Sequence, residues 1–136
     1  MSKSKPFTMR LTQQTDAWVE QEAQRTHRSK GAIVEALAEE AARMRRFPGI
    51  AFRGAEHDRR ARLLGTAHDV WEVIEARKGV STLEELLEKA DILERQVRLA
   101  LAYYQEYPKE IDQAIAANQA SEQQLHVLYP TLVTNG

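Results

Sequence analysis

Residues 6–11 read Pro6-Phe7-Thr8-Met9-Arg10-Leu11, in which Phe7, Met9 and Leu11 alternate with Pro6, Thr8 and Arg10. A period of two is that of a β-strand, whose successive side chains point to opposite faces. One face is apolar, and the other carries a hydroxyl and a guanidinium able to hydrogen-bond outward. Two helical patterns follow. Residues 12–26 carry a thin apolar stripe of Trp18, Val19 and Ala23, opened by Thr12 or Thr15 with Asp16 in the first turn. After His27-Arg28, Ser29 is the expected N-cap of a second helix with the fuller stripe Ile33, Val34, Leu37, Ala41 and Met44. That helix ends before Pro48-Gly49, with Arg43, Arg45 and Arg46 near its negative pole.

A strand followed by two helices has no hairpin neighbour, so its backbone donors and acceptors need a partner from elsewhere. A strand at 50–53 of the same chain is one possibility, and it would leave Arg10 merely solvated. The simpler partner is the same strand of a second copy. A two-fold antiparallel ribbon would press Met9 and Leu11 onto the helices and place both copies of Thr8 and Arg10 on one exposed face. Such a ribbon fits a DNA major groove.

The run Thr8-Met9-Arg10-Leu11, a helix, and Arg28-Ser29 opening a second helix resembles the ribbon-helix-helix family (Arc/CopG-type repressors and many antitoxins) over roughly residues 6–46. The resemblance implies that Thr8 and Arg10 read base edges, with Lys5 and Pro6 at the ribbon's margin. It also implies that the backbone amides at Ser29 and Lys30 hold a phosphate. His27 stands where that family usually ends its first helix with Gly, so a non-glycine is asked to take a left-handed conformation.

Working outward, the whole chain has 136 residues, 43% of them apolar, 29% charged and 7% aromatic. This is the composition of a helical globular protein of one domain or two very small ones. Neither an apolar run long enough to span a membrane nor a secretory leader is evident, so a cytoplasmic location is expected. The absence of cysteine excludes disulfides, a thiol nucleophile and cysteine-based zinc sites. Charge is divided unevenly. Residues 1–66 hold 13 Lys/Arg against 8 Asp/Glu, a balance of +5, whereas residues 67–136 hold 6 against 12, a balance of −6. The front half suits phosphates and the back half suits protein contacts.

Residues 47–118 read as a small helical domain with a β-hairpin. Phe47-Pro48-Gly49 leads a short alternating strand, Ile50 to Arg53, and a polar turn at 55–58 leads back through Arg59-Arg60-Ala61-Arg62-Leu63. Helices are expected from Val70 to Gly79, after the capping sequence Ser81-Thr82-Leu83-Glu84, from about Leu93 to Tyr107, and from Pro108 through Ile115. The third of these is expected to bury Val97, Leu101 and Tyr104. Trp71, Tyr103 and Tyr104 read as core aromatics rather than contact residues.

The strings Gly65-Thr66, Val70-Trp71, Leu83-Glu84-Glu85-Leu86-Leu87, Ala100-Leu101-Ala102-Tyr103-Tyr104 and Pro108-Lys109-Glu110-Ile111-Asp112 resemble a second family over roughly residues 48–115. It is a helix-turn-helix-like domain family found as the antitoxin beside PIN-domain ribonuclease toxins (VapB-type). That fold suggests DNA, but residues 81–112 hold 4 Lys/Arg against 8 Asp/Glu, and a duplex carrying about one charge per 1.7 Å would be repelled. Toxin or dimer contacts suit the domain better. Arg59, Arg60 and Arg62 form the densest basic cluster, read either as a solvated turn or as flanking phosphate contacts.

From Ala116 the chain reads as a linker-like stretch. It runs into an apolar cluster, Leu125, Val127, Leu128, Tyr129, Leu132 and Val133, expected either to fold onto a toxin or to pack on its own dimer. The tail has no arginine to place in a toxin's acidic site, so neutralisation would act by occlusion. His57-Asp58 and His68-Asp69 are too few ligands for a metal-dependent hydrolase, and no phosphate loop or nucleophile elbow is present. Neither catalysis nor a cofactor is expected.

The sequence therefore points to a mainly α chain. A ribbon-helix-helix unit occupies 1–46, a helix-turn-helix-like domain with a short hairpin occupies 47–118, and a tail occupies 119–136. The expected role is a homodimeric antitoxin and autorepressor that binds operator DNA and a PIN-like toxin. A stand-alone repressor and a dimeric interaction adaptor without DNA binding are the alternatives.

Overall fold

A computed structural model of the chain describes residues 4–129. Among them six helices and one two-stranded antiparallel sheet succeed one another: α1 (Gln13–Thr26), α2 (Lys30–Arg46), β1 (Ile50–Arg53), β2 (Arg60–Leu63), α3 (Val70–Lys78), α4 (Leu83–Lys89), α5 (Glu94–Glu106) and α6 (Pro108–Leu128). The fold is mainly helical. The chain divides into two compact units, one up to Ala42 and one from Arg43 onward, so that α2 runs through the division.

In the first unit the two helices start and stop where the side chains dictate. Thr12 caps α1, its hydroxyl accepting from the Thr15 N–H at 3.4 Å. At the other end His27 takes a left-handed conformation (φ 54°), and the Arg28 N–H donates to the Ala23 carbonyl at 3.0 Å. This turn brings Ser29 to the head of α2, where its Oγ accepts from the Ala32 N–H at 3.0 Å. Only Val19 and Ile33 are buried among the described residues of this unit.

The strand read over 6–11 is not formed in the single chain, where residues 4–12 belong to neither helix nor strand. An extended segment becomes a strand only when its backbone groups pair, and residues 4–12 pair with no strand among the described residues. The strand at 50–53 pairs instead with β2 in the two-stranded sheet of the described residues, with Ile50 opposite Leu63 and Arg53 opposite Arg60.

The second unit is built on that hairpin. Ile50, Phe52, Ala61 and Leu63 alternate toward the core, and Ala51, Arg53, Arg60 and Arg62 form the opposite face. The tight connection after β1 needs Gly54, which has φ 114° and whose missing Cβ would lie 2.3 Å from the Asp58 carbonyl oxygen. Inward residues of the hairpin join Val70, Val73 and Ile74 of α3, Leu86 of α4, Val97, Ala100 and Tyr103 of α5 and Ile111 of α6 in one continuous core. Thr82 caps α4, accepting from the Glu85 N–H at 3.2 Å, and Pro108 occupies the first turn of α6, where no N–H is needed.

Two expectations are corrected here. α5 buries Val97, Ala100 and Tyr103, whereas Leu101 is exposed and Tyr104 half-buried. Small Ala100 admits close packing, and the Tyr103 hydroxyl has partners inside. It donates to Glu110 at 2.7 Å and accepts from Arg43 at 2.8 Å, while its ring meets Phe47 and Tyr107 with centroids 5.5 and 4.8 Å away. The linker-like stretch from Ala116 is helical, α6 continuing to Leu128. Its Ala and Gln residues are strong helix formers, so polarity there marks an exposed helix rather than an absence of structure.

Candidate nucleic-acid interface

The residues expected to meet DNA lie on the segment ahead of α1 and at the head of α2. Lys5, Thr8 and Arg10 are exposed, and so are the apolar residues between them, Phe7 at 78% and Met9 at 53%. The segment thus leaves large apolar side chains open on unpaired extended backbone. Trp18 and Leu37, on the two helices of the same unit, are also exposed.

At the head of α2 the first intrahelical bond runs from the Ile33 N–H to the Ser29 carbonyl, so the N–H groups of Lys30 and Gly31 precede the helical ladder. The Ser29 hydroxyl is taken up by the cap. The Lys30 ammonium is paired with Asp16 and lies 3.5 Å from Glu20. The hydrogen bond to Asp16 is the main cause that raises its pKa above the ordinary lysine value. Any anion held there would thus be met chiefly by backbone amides and the helix dipole, with the lysine charge shared among carboxylates.

The basic cluster of the hairpin is engaged locally. Arg59 donates to the Gly54 carbonyl at 3.0 Å across the turn, Arg60 pairs with Asp58 at 2.8 Å, and Arg62 donates to the Thr66 carbonyl at 3.3 Å. Sequence reasoning missed Arg53, which stands opposite Arg60 on the same face and pairs with the buried Asp69 at 3.0 Å. Asp69 also accepts from the Trp71 indole at 3.2 Å. The only available signal was the alternation Ile50-Ala51-Phe52-Arg53, and the register across the hairpin was needed to place Arg53 beside Arg60.

A second group that no local pattern announces is Arg43 with Tyr103 and Glu110. The guanidinium lies 2.7 Å from Glu110 and 3.9 Å from the centre of the Tyr107 ring. Burial alone would lower the Arg43 pKa, but the hydrogen bonds to Glu110 and Tyr103 outweigh it and hold the group above its ordinary value. Burial, then the hydrogen bond to Glu110, pushes the Tyr103 phenol up. Arg43 is separated from these partners by some sixty residues of chain, and from sequence it read only as a cation near a helix end.

At the far end of α6, Leu125, Leu128 and Tyr129 lie three and four residues apart and share a face, with Val127 beside it; all four are exposed. Leu132 and Val133 lie outside the described residues. His57 and His68 are not brought into a ligand cluster, and among the described residues no three His, Asp or Glu side chains are grouped to hold a metal ion. No helix among the described residues is long and apolar enough to cross a membrane. No family model, curated protein or solved structure matches the chain.

Proposed function

We propose that the protein is a homodimeric, operator-binding autorepressor of the antitoxin type. Two copies join residues 6–11 into an antiparallel ribbon and present Thr8 and Arg10 to the major groove, with Lys5 at its edge and the amides at Ser29 and Lys30 on flanking phosphates. The observation that carries this reading is the exposed, unpaired segment with open Phe7 and Met9 directly ahead of two well-capped helices. Pairing with a second copy would satisfy the backbone and cover those side chains in one step. Arg59, Arg60 and Arg62 would add phosphate contacts only by exchanging their present partners.

In the same reading the acidic stretch 67–136 meets the toxin, a PIN-like ribonuclease, through the exposed apolar end of α6 around Leu125, Val127, Leu128 and Tyr129. An amphipathic helix end laid into an apolar groove is a familiar recognition mode, and with no arginine in the tail it would act by covering the toxin's site.

Fluorescence anisotropy across a salt series, with the chain's own upstream DNA and a scrambled duplex, tests the DNA half. Tighter binding to the upstream DNA with a steep salt slope, lost in Thr8→Ala/Arg10→Ala, is expected. Equal affinity for both duplexes would defeat it. Removal of residues 119–136 should abolish toxin binding and spare DNA binding; if every activity survives that truncation, the protein is a repressor alone.

A further inference from the structure

The outward face of the hairpin consists of Ala51 and Arg53 on β1 and Arg60 and Arg62 on β2, with no carboxylate on that face of either strand. Arg53 and Arg60 are direct cross-strand partners, their Cβ atoms about 5 Å apart, and Arg62 follows about 7 Å along β2. Like charges set opposite each other weaken a ribbon, so this pairing is not one that sheet formation selects. The rest of the chain sharpens the contrast. Residues 50–63 hold 4 Lys/Arg against 2 Asp/Glu, whereas residues 64–128 hold 6 against 12.

The three guanidiniums are held in place but not used up. Arg53 meets Asp69 through Nε at 3.1 Å and a terminal nitrogen at 3.0 Å, both on the single oxygen Oδ1, which leaves the other edge of its five-donor fork open among the described residues. Asp69 is itself buried and accepts from the Trp71 indole on its other oxygen, so it is a fixed post that aims an exposed guanidinium. Arg60 pairs with Asp58, whose side chain is 69% exposed, and a solvated pair of this kind is exchanged for another anion at little cost. Arg62 donates to a neutral acceptor, the Thr66 carbonyl.

We propose that this face docks on the phosphate backbone of double-stranded DNA, with Arg53, Arg60 and Arg62 each meeting a phosphate and no base being read. The composition of the face selects the occupant. A protein partner needs an apolar centre, and this face has none beyond Ala51. A single strand needs an aromatic ring to stack on, and Phe52 is packed against the core. A duplex needs only closely spaced cations, and a two-stranded ribbon fits its major groove. The inference rests on the reading that DNA is the partner; it adds Arg53 and a sequence-independent element, and does not need the pairing of residues 6–11.

Fluorescence anisotropy of the full chain on a random-sequence duplex across a salt series tests it, with Arg53→Gln/Arg60→Gln as the hairpin variant. Arg95→Gln/Arg98→Gln, on the exposed side of α5, is the control of equal net charge. The hairpin variant should bind about tenfold more weakly near about 0.1 M salt, with a salt slope lower by about two. Arg60→Gln alone, which breaks only a surface pair, should lower the slope by about one and keep the wild-type helical signal. The α5 control should bind as wild type does. Equal losses in the hairpin and α5 variants, an unchanged slope in Arg60→Gln, or competition by poly-glutamate as strong as by duplex would overturn the proposal. Thr8→Ala/Arg10→Ala should lose the preference for upstream DNA and keep the hairpin-dependent part of the slope. If it loses all random-duplex binding, the hairpin falls and the ribbon stands. If wild type binds upstream and random DNA equally while the hairpin variant is weakened, the ribbon falls and the hairpin stands. A wild type that binds neither duplex overturns both.

Discussion

The unit up to Ala42 and the unit from Arg43 onward are both helical, yet they dispose of their apolar residues differently. In the first, Val19 and Ile33 alone are buried among the described residues, while Phe7, Met9, Trp18 and Leu37 stay open to solvent. In the second, Ile50, Leu63, Val70, Ile74, Val97 and Tyr103 are each no more than 2% exposed and belong to one continuous core. A unit near 40 residues without disulfides rarely buries enough surface to stand alone, and oligomerisation is the usual remedy. The contrast teaches that capped helices are not by themselves a domain. The second unit closes its core within one chain, and the first leaves large apolar side chains of both its helices, Trp18 and Leu37, open.

The largest effect that can sharpen this contrast is expected at Leu63. Leu63→Ala should cost about 2–5 kcal/mol in urea unfolding, with the loss independent of protein concentration, because the cavity forms inside a core made by one chain. Met9→Lys probes the other side. In a lone chain a lysine at an exposed position would change little, but in a buried ribbon face it should weaken the dimer by about 2–3 kcal/mol, read by sedimentation equilibrium. An unchanged dimer would break the comparison.

Arg10→Ala should next cost about 1–3 kcal/mol of specific DNA binding if its guanidinium reads a base, while Lys30→Ala weakens specific and random DNA alike. Equal losses on both duplexes for Arg10→Ala would remove it from readout.

Tyr103→Phe tests how the second unit is tied together, with an expected loss of about 1–2 kcal/mol for the two hydrogen bonds. Because the folded phenol titrates above its ordinary value of 10.0, the protonated form's contribution is complete below that pH and is lost as pH rises beyond it. Wild-type stability should therefore fall above about pH 10, and the fall should be smaller in Tyr103→Phe. The smallest effect is expected at the end of α6, where Leu128→Ser should stay within about 0.5 kcal/mol of wild type, since the side chain is exposed. A larger loss would mean that this helix end already packs on the protein's own assembly.

Much of the helical framework was legible because its signals are local. Thr12, Ser29 and Thr82 marked helix starts, Gly79 and Pro108 marked a stop and a restart, and even the left-handed turn at His27 could be anticipated. What escaped depends on distance in the chain. The buried face of α5 turns on Arg43 and Glu110 reaching Tyr103, which periodicity within α5 cannot reveal. The helix through 116–128 was hidden by its polarity, since an exposed helix end and a linker share a composition. At the candidate interface Arg53 became visible only once β1 and β2 were in register. The engagement of Lys30 with Asp16 likewise needed the turn between α1 and α2 to be in place.

The central claim is that residues 6–11 pair with the same residues of a second copy. The chain has no cysteine, so a single Thr8→Cys carrying a spin label reports only on its twin. In an antiparallel ribbon, with strands about 4.8 Å apart and about 3.4 Å of rise per residue, pulsed dipolar spectroscopy should give one narrow distance below about 25 Å. A protein without dipolar coupling, or with only broad distances beyond about 40 Å, would contradict the ribbon and the DNA interface built on it.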